Sequence, residues 1–273
     1  MPAHGGGMEI IVDILRIEST SNHIYKSTKK LLATGTRKKT RTFIIEGERI
    51  VRDAIKNGAS VEYVILADDD ISFDELKNIK TYQMPHKLFD TLKSTVNSQG
   101  ILAVVRYTEA DFDKIDFSAG GCYLYLDSVT DPGNMGTILR TADAFGISGV
   151  IISSGCVDVY NPKVLRSTMA GIFNIKLYFD DGTALNSFKK NGYKIAGTFL
   201  DGTGIEQGID YTEKSVVVMG NEANGISEEI EKFCDEKITI PMTGGAESLN
   251  VSVACGIILY DSFVYRKNLR NVR

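Results

Sequence analysis

From Cys122 to Arg266, short apolar runs alternate with segments of helical period. Strands are predicted at 123–126, 149–152, 176–178, 194–199, 215–219 and 237–240. Helices are predicted at 134–145, 161–169, 184–190, 227–233 and 249–266. This alternation restricts the fold to the α/β class, a mostly parallel sheet with helices on both faces, because the crossovers between parallel strands bring helices with them. Ligands of such sheets bind outside the carboxyl ends of the strands.

Three stretches bring chemistry to that edge. The last runs from Ile240 to Asp261 (IPMTGGAESLNVSVACGIILYD) and begins as a strand end. Pro241 has no N–H to extend a ladder. Thr243, Gly244 and Gly245 form a loop able to take positive φ, and Glu247, Ser248 and Asn250 crowd the start of a long apolar helix. Backbone groups of such a loop can wrap a small ligand; the plainer reading is a capped helix after a tight turn.

Val129–Ala142 (VTDPGNMGTILRTA) and Val218–Ser227 (VMGNEANGIS) repeat the plan. Asn134 follows Pro132 and Gly133 and can cap the helix starting there. Arg140 shares a helical face with Gly133, Gly136 and Thr137, which leaves room for a bulky ligand beside one guanidinium. The plainer role for Arg140 is an ion pair with Asp143 or Asp131. Glu222 lies between Gly220 and Gly225, where a carboxylate can orient Arg140, hold a ribose hydroxyl, or simply favour the start of the next helix.

Upstream, residues 8–107 read as a smaller α/β unit, with strands at 43–45, 61–66, 81–84 and 101–107 and helices at 23–33, 47–57, 72–78 and 87–93. Ser72 and Glu75 have capping-box spacing. Glu9–Glu18 is a short amphipathic segment, Gly35–Thr42 a basic loop, and Met1–Gly7 an unstructured extension. Thr108–Gly121, with acidic residues, Ser118 and two glycines but no strong period, is the predicted linker to a domain spanning 122–273.

The chain is 43% hydrophobic and 24% charged, hence globular and not disordered. Outside the final helix its apolar runs are far shorter than the ~18 residues that span a bilayer. Cys122, Cys156, Cys234 and Cys255 are scattered without a CxxC pair, and the three histidines all precede residue 87. A metal-free, cytoplasmic protein is expected, with no histidine base in its C-terminal half. The formal net charge is −4, yet Lys26, Lys29, Lys30, Arg37, Lys38, Lys39, Arg41, Arg49 and Arg52 face only Glu46 and Glu48 between residues 26 and 52. Such a local basic patch on an acidic chain points to a positioned anionic partner, the alternative being a solvated helix face.

In order and spacing, VTDPGNMGTILRTA, VMGNEANGIS and IPMTGGAESLNVSVACGIILYD resemble the three signature motifs of the SpoU (TrmH-like) branch of the SPOUT RNA methyltransferases. The resemblance covers about Cys122 to Arg266. It implies a trefoil-knotted C-terminal domain, an exception to the rule against knots that no periodicity reveals. It also implies S-adenosyl-L-methionine (AdoMet) as cofactor, RNA as substrate, and a homodimer formed through the C-terminal domain. The last helix fits a dimer, being apolar almost all round through Leu249, Val251, Val253, Ala254, Ile257, Ile258, Leu259, Phe263 and Val264.

Carried over residue by residue, the resemblance makes Arg140 catalytic, with Asn134 beside it and Glu222, Ser248 and Asn250 completing the group. Backbone groups of Gly220, Ile240 and Leu249 would hold adenine and ribose, and Thr198, Phe199, Leu200, Met219, Asn221, Pro241, Met242 and Ser248 would add contacts. Arg166, in NPKVLRSTMAG, is a phosphate contact by the same pattern, although Thr168-Met169-Ala170-Gly171 departs from the usual Ser-x-Gly-Ala order. The basic loop followed by FIIEGERIVRDAI resembles the N-terminal RNA-binding domain of many SpoU enzymes. Lys26, Lys30, Arg37, Lys38, Lys39 and Arg41 are the RNA contacts expected from it.

Arginine is a poor general base, with a pKa above ~12. The favoured role for Arg140 is stabilisation of a developing 2′-oxyanion, with a substrate phosphate as base; direct proton abstraction by Arg140 is the alternative. With its separate N-terminal unit the chain resembles the ribosomal RNA enzymes of the family more than the minimal tRNA ones, which implies large-subunit ribosomal RNA as substrate, with tRNA as the alternative. A non-catalytic RNA-binding or ribosome-assembly protein is the reading from another class. A Rossmann reading rests only on Asp201-Gly202-Thr203-Gly204, which lacks the third glycine of the fingerprint.

Overall fold

In a computed structural model of the chain, the apolar runs gather into two separate sheets, one in each of two units that divide between Tyr107 and Thr108. The structure describes residues 14–67, 71, 74–94, 99–209, 211 and 213–271. The expected extension Met1–Gly7 and the Ser72 cap lie outside these. Among the described residues no helix is long and apolar enough to cross a membrane.

The first unit contains β1 (Ile14–Arg16), α1 (His23–Lys30), α2 (Thr34–Thr40), β2 (Thr42–Glu46), α3 (Glu48–Lys56), β3 (Ser60–Leu66), β4 (Thr81–Gln83), α4 (His86–Phe89) and β5 (Ile101–Arg106). Its sheet runs β1-β4-β3-β5-β2, with β5 antiparallel to both neighbours and the other pairs parallel. Ile44, Ile65, Tyr82, Met84, Leu102 and Val104 close its core.

The expected basic loop at 35–42 is instead the helix α2 followed by the start of β2. Its organiser is Arg37, expected as an exposed RNA contact but only 2% exposed. The guanidinium turns inward and donates to the carbonyls of Leu31 (2.8 Å) and Leu32 (3.0 Å) and to Thr34 Oγ1 (2.8 Å). It thereby satisfies carbonyls at the end of α1 that the helix itself leaves open. Arg41, at φ 53°, takes the left-handed turn into β2. Lys26, Lys30, Lys38, Lys39 and Arg41 stay exposed.

The second unit contains β6 (Gly121–Leu126), α5 (Pro132–Ala144), β7 (Gly149–Ile152), α6 (Pro162–Thr168), β8 (Leu177–Phe179), α7 (Ala184–Lys190), β9 (Lys194–Gly204), β10 (Lys214–Met219), α8 (Glu228–Glu231), β11 (Glu236–Thr239) and α9 (Val251–Asn271). Its six strands run β11-β9-β10-β6-β7-β8, every pair parallel. The segment read as a linker belongs to this unit. Ile115 is in its core, Phe112 and Phe117 pack against it, and the Phe117 and Phe188 rings lie edge to face at 5.3 Å. Burying these aromatics outweighs the acidic, loop-like composition around them.

The first strand, β6, is central. The chain builds to one side of it through β7 and β8 and to the other through β10, β9 and β11. The switch point lies between β6 and β10, so the loops leaving their carboxyl ends at Leu126 and Met219 emerge side by side. β9 is five residues longer than predicted because β11 pairs with both ends of it. Lys237 opposes Gly197 and Ile238 opposes Thr203, and Thr198–Gly202 form an excursion between those pairings.

Candidate functional site

The loop after β6 is tied to the loop after β10 by Asp127, which is 5% exposed. Its carboxylate accepts from Ser227 N (2.8 Å) and Ser128 Oγ (3.1 Å), and its own N–H donates to Met219 O (2.8 Å). Asp131 then caps α5 by accepting from Asn134 N at 2.8 Å, with Pro132 at the first helical position. The expected cap was Asn134. Asp131 is three residues closer to the chain's entry, and it leaves the Asn134 side chain free to reach across the loop.

It reaches two partners. Asn134 Nδ2 donates to Glu222 Oε1 (3.1 Å), and Asn134 Oδ1 accepts from Asn250 Nδ2 (2.9 Å). Asn250 in turn caps α9, its Oδ1 accepting from Ser252 N (2.9 Å) and Ser252 Oγ (2.6 Å). One amide thus joins all three glycine-containing loops.

Glu222 also accepts from Asp131 N (2.9 Å), Thr130 N (3.1 Å) and Thr130 Oγ1 (3.1 Å). Partial burial works to raise its pKa, but the bonds from the Asp131 and Thr130 backbone and the Asn134 amide outweigh it and lower the pKa to about 2. At neutral pH Glu222 is a fixed anion, suited to orienting donors and unsuited to taking a proton. It does not hold Arg140. Arg140 is exposed on α5 and has no hydrogen-bond or ion-pair partner among the described residues. Asp131 is engaged by Asn134 N, and Asp143 by Asn174 Nδ2 at 3.1 Å.

The glycines divide their work differently from the expectation. A Cβ on Gly136 would lie 2.4 Å from Ser167 Cβ and 2.6 Å from Val164 O, so this glycine lets α6 approach α5 and leaves no ligand space. A Cβ on Gly220 would lie 2.2 Å from Gly225 C. The 220–225 loop folds back on itself there, with Asn221 and Gly225 exchanging backbone bonds of 2.8 and 3.0 Å.

Beneath these loops is a cavity of about 460 Å³, walled by the β9 excursion, the loop after β10, the loop after β11 and the first turns of α9. Of the expected cofactor contacts, Thr198, Phe199, Leu200, Met219, Gly220, Asn221, Ile240, Met242, Ser248 and Leu249 line it. Pro241 does not. Glu222 is on its wall, while Asn134 and Asn250 join it through hydrogen bonds; Arg140 and Arg166 are outside the lining. Thr130, Asp131 and Asp127 were missed as organisers, and Asp201 and Glu231 as lining residues. The Asp131-Pro132 pair, a good cap followed by a good first helical residue, was the available signal. Among the described residues no cluster of three or more His, Cys, Asp or Glu could hold a metal ion.

Residues 121–260 match the SpoU rRNA Methylase family, and residues 22–103 match the MRM3-like substrate binding domain. The chain belongs to the SpoU rRNA methylase family. This SpoU chain is 34% identical over 247 residues to a 23S rRNA (guanosine(2553)-2′-O)-methyltransferase, RlmP, of Bacillus subtilis, covering 90% of the chain and 98% of the relative. It is similar to the AdoMet-bound rRNA methyltransferase of Sinorhizobium meliloti, with a TM-score of 0.83, 28% identity and coverage of 94% and 98%. It is also similar to the SpoU methyltransferase AviRb of Streptomyces viridochromogenes in complex with AdoMet, with a TM-score of 0.81, 27% identity and coverage of 90% and 98%. The resemblance read from the three SpoU motifs is therefore borne out.

Proposed function

We propose that the protein transfers a methyl group from AdoMet to a ribose 2′-hydroxyl of large-subunit ribosomal RNA. The observation that carries this reading is the Asn134 bridge, which ties the wall of the cavity at Glu222 to the cap of α9 at Asn250.

The residues present fit AdoMet. A cavity of about 460 Å³ falls within the range of small-molecule sites, and its lining joins apolar side chains such as Met219, Leu249 and Ile258 to backbone groups around Gly220 and Ile240. Thr198, Phe199, Leu200, Met219, Gly220, Asn221, Ile240, Met242, Ser248 and Leu249 would hold the cofactor, and it would supply an electrophilic methyl group. Arg140 supplies positive charge to the 2′-oxygen as it loses its proton, a substrate phosphate being the acceptor. Among the described residues Arg140 has no internal partner, which keeps that charge available. Glu222, held ionised, keeps Asn134 and the start of α5 in register with the loops around the cavity.

Lys26, Lys30, Lys38, Lys39 and Arg41 of the first unit, with Arg166 of the second, form the RNA contacts in this reading. The domain matched at 22–103 then acts as the substrate-binding module. Homodimerisation through α9 is supported by Val253, Ile257, Tyr260 and Phe263, large apolar residues left exposed along it. A trefoil knot around the last loops and a cytoplasmic location belong to this reading, and family membership supports them.

The test is methyl transfer from labelled AdoMet to total RNA, separated into ribosomal and tRNA fractions. Label in a large-subunit band, recovered after alkali as a 2′-O-methyl dinucleotide, is the expected result. Label confined to tRNA would replace the substrate, and base-labile or base-linked label would overturn the reaction.

A further inference from the structure

Residues 164–174 run alongside α5, and contacts at both ends fix how they lie. At one end a Cβ on Gly136 would stand 2.4 Å from Ser167 Cβ and 3.1 Å from Thr168 N. At the other, Asn174 Nδ2 donates to Asp143 Oδ2 at 3.1 Å, and a Cβ on Gly171 would stand 3.3 Å from the same oxygen. Gly136, Arg140 and Asp143 are spaced i, i+4 and i+7, one stripe of the helix. Leu139 and Arg140 are therefore the α5 residues on the stripe facing the stretch between Thr168 and Gly171; Leu139 is buried and Arg140 is the exposed one.

Met169 is in that stretch and is unusual in two respects. Its backbone takes φ 57° and ψ −139°, a region that is essentially glycine's own. The residue is also 48% exposed. Thr168 before it is fully buried, with Oγ1 donating to Val164 O at 2.9 Å, and Gly171 after it is packed on Asp143, so the chain cannot slip to relieve the strain. A glycine would fit the backbone better, and burial does not explain the methionine. The strain holds a long, polarisable thioether in solvent on the stretch that runs alongside α5, whose Arg140 is exposed and has no partner among the described residues.

We infer that Met169 is a substrate-contact residue whose thioether packs on the nucleobase of the nucleotide being methylated. The inference rests on the reading above, in which Arg140 attends the ribose 2′-oxygen. The base is joined to the ribose carbon next to the one bearing that oxygen, so its face comes within a side chain's length of Arg140. Thioethers make favourable contacts with aromatic rings and adapt to their outline. Bases in RNA loops are unstacked and offer that face to a protein.

The test compares wild type with Met169→Gly and Met169→Leu on the RNA species that the wild type labels. The glycine variant removes strain and side chain together. Its melting temperature is expected not to fall, because glycine suits the backbone. AdoMet affinity by calorimetry and oligomeric mass by light scattering are expected to stay at wild-type values. kcat/KM for RNA is expected to fall by about threefold to tenfold, the scale of sulfur–aromatic contacts, with Met169→Leu retaining most of the activity. On an RNA abasic at the target nucleotide, wild type and Met169→Gly are expected to converge.

Wild-type kcat/KM in the glycine variant would overturn the inference, as would an equal deficit on the abasic RNA. Loss of AdoMet binding or of oligomeric mass would also overturn it, since Met169 would then serve the fold or an interface. Absence of transfer by the wild-type protein would instead overturn the functional reading, and this inference with it.

Discussion

Asn134 Nδ2 donates to Glu222 Oε1 at 3.1 Å across 88 residues of chain, and this bond locks the loop after β6 to the loop after β10. Its strength depends on Glu222 being ionised. The Glu222 carboxyl is held at about 2, below its ordinary value of 4.5. A group depressed in the folded state stabilises above its unfolded pKa and loses that contribution as pH falls through the folded pKa. Wild type should therefore melt above Glu222→Gln at pH 6, and the gap should close between about pH 4.5 and about pH 2. Calorimetric scans across that range check this; a gap independent of pH would assign the stabilisation to shape alone.

Arg140→Ala should reduce methyl transfer by at least ~100-fold, the scale of removing one preorganised donor to a developing oxyanion. AdoMet affinity should change by no more than a few-fold, because Arg140 does not line the cavity. Single-turnover kinetics and titration calorimetry separate the two effects. Near-normal turnover would remove Arg140 from the mechanism.

Gly220 and Gly225 make a contrasting pair. A methyl at Gly220 meets Gly225 C at 2.2 Å, whereas one at Gly225 meets nothing within 4 Å but must accept φ 68°. Gly225→Ala should cost about 1 kcal/mol, the backbone penalty alone. Gly220→Ala should cost about 3 kcal/mol, at the upper end of overpacking, and should abolish AdoMet binding by displacing the cavity wall. Chemical denaturation and calorimetry on both variants check the order.

In the first unit, stability and RNA affinity should separate. Arg37→Ala strips the buried donors from the carbonyls of Leu31 and Leu32 and should cost about 2–4 kcal/mol. Replacing Lys38, Lys39 and Arg41 together should leave the melting temperature nearly unchanged. It should also lower the slope of log affinity against log salt by about one for each phosphate that these cations neutralise. An unchanged slope would remove them from the RNA interface.

How far the sequence revealed the site depended on whether the cause was local. Strand ends followed by glycine and a capping residue are local patterns, so the three loops were found at the correct edge. Tertiary pairing was not visible. Asp201-Gly202-Thr203-Gly204 reads at most as an incomplete glycine-rich loop, yet β11 pairs with Thr203 and Gly204 and extends β9 to them. Thr34–Thr40 has no apolar stripe to announce a helix, and its one inward residue is an arginine. Asp131 and Asn134 are both good caps, and only the partners across the loop decide which one does it. Gly136 was legible as small, but a neighbouring helix and a ligand ask for the same absent side chain.

The strand order also dictates when the protein becomes functional during its synthesis. Gly121 of β6 pairs with Lys214 of β10, so the centre of the sheet waits for a neighbour encoded more than 90 residues later. Until β10 arrives, β6 with β7 and β8 forms a half-sheet whose open side is an apolar strand edge, the kind of surface that templates aggregation. Such distant pairing also folds slowly. The nascent chain therefore passes through a vulnerable interval on the ribosome, and a ribosome stalled between β8 and β10 would expose that edge.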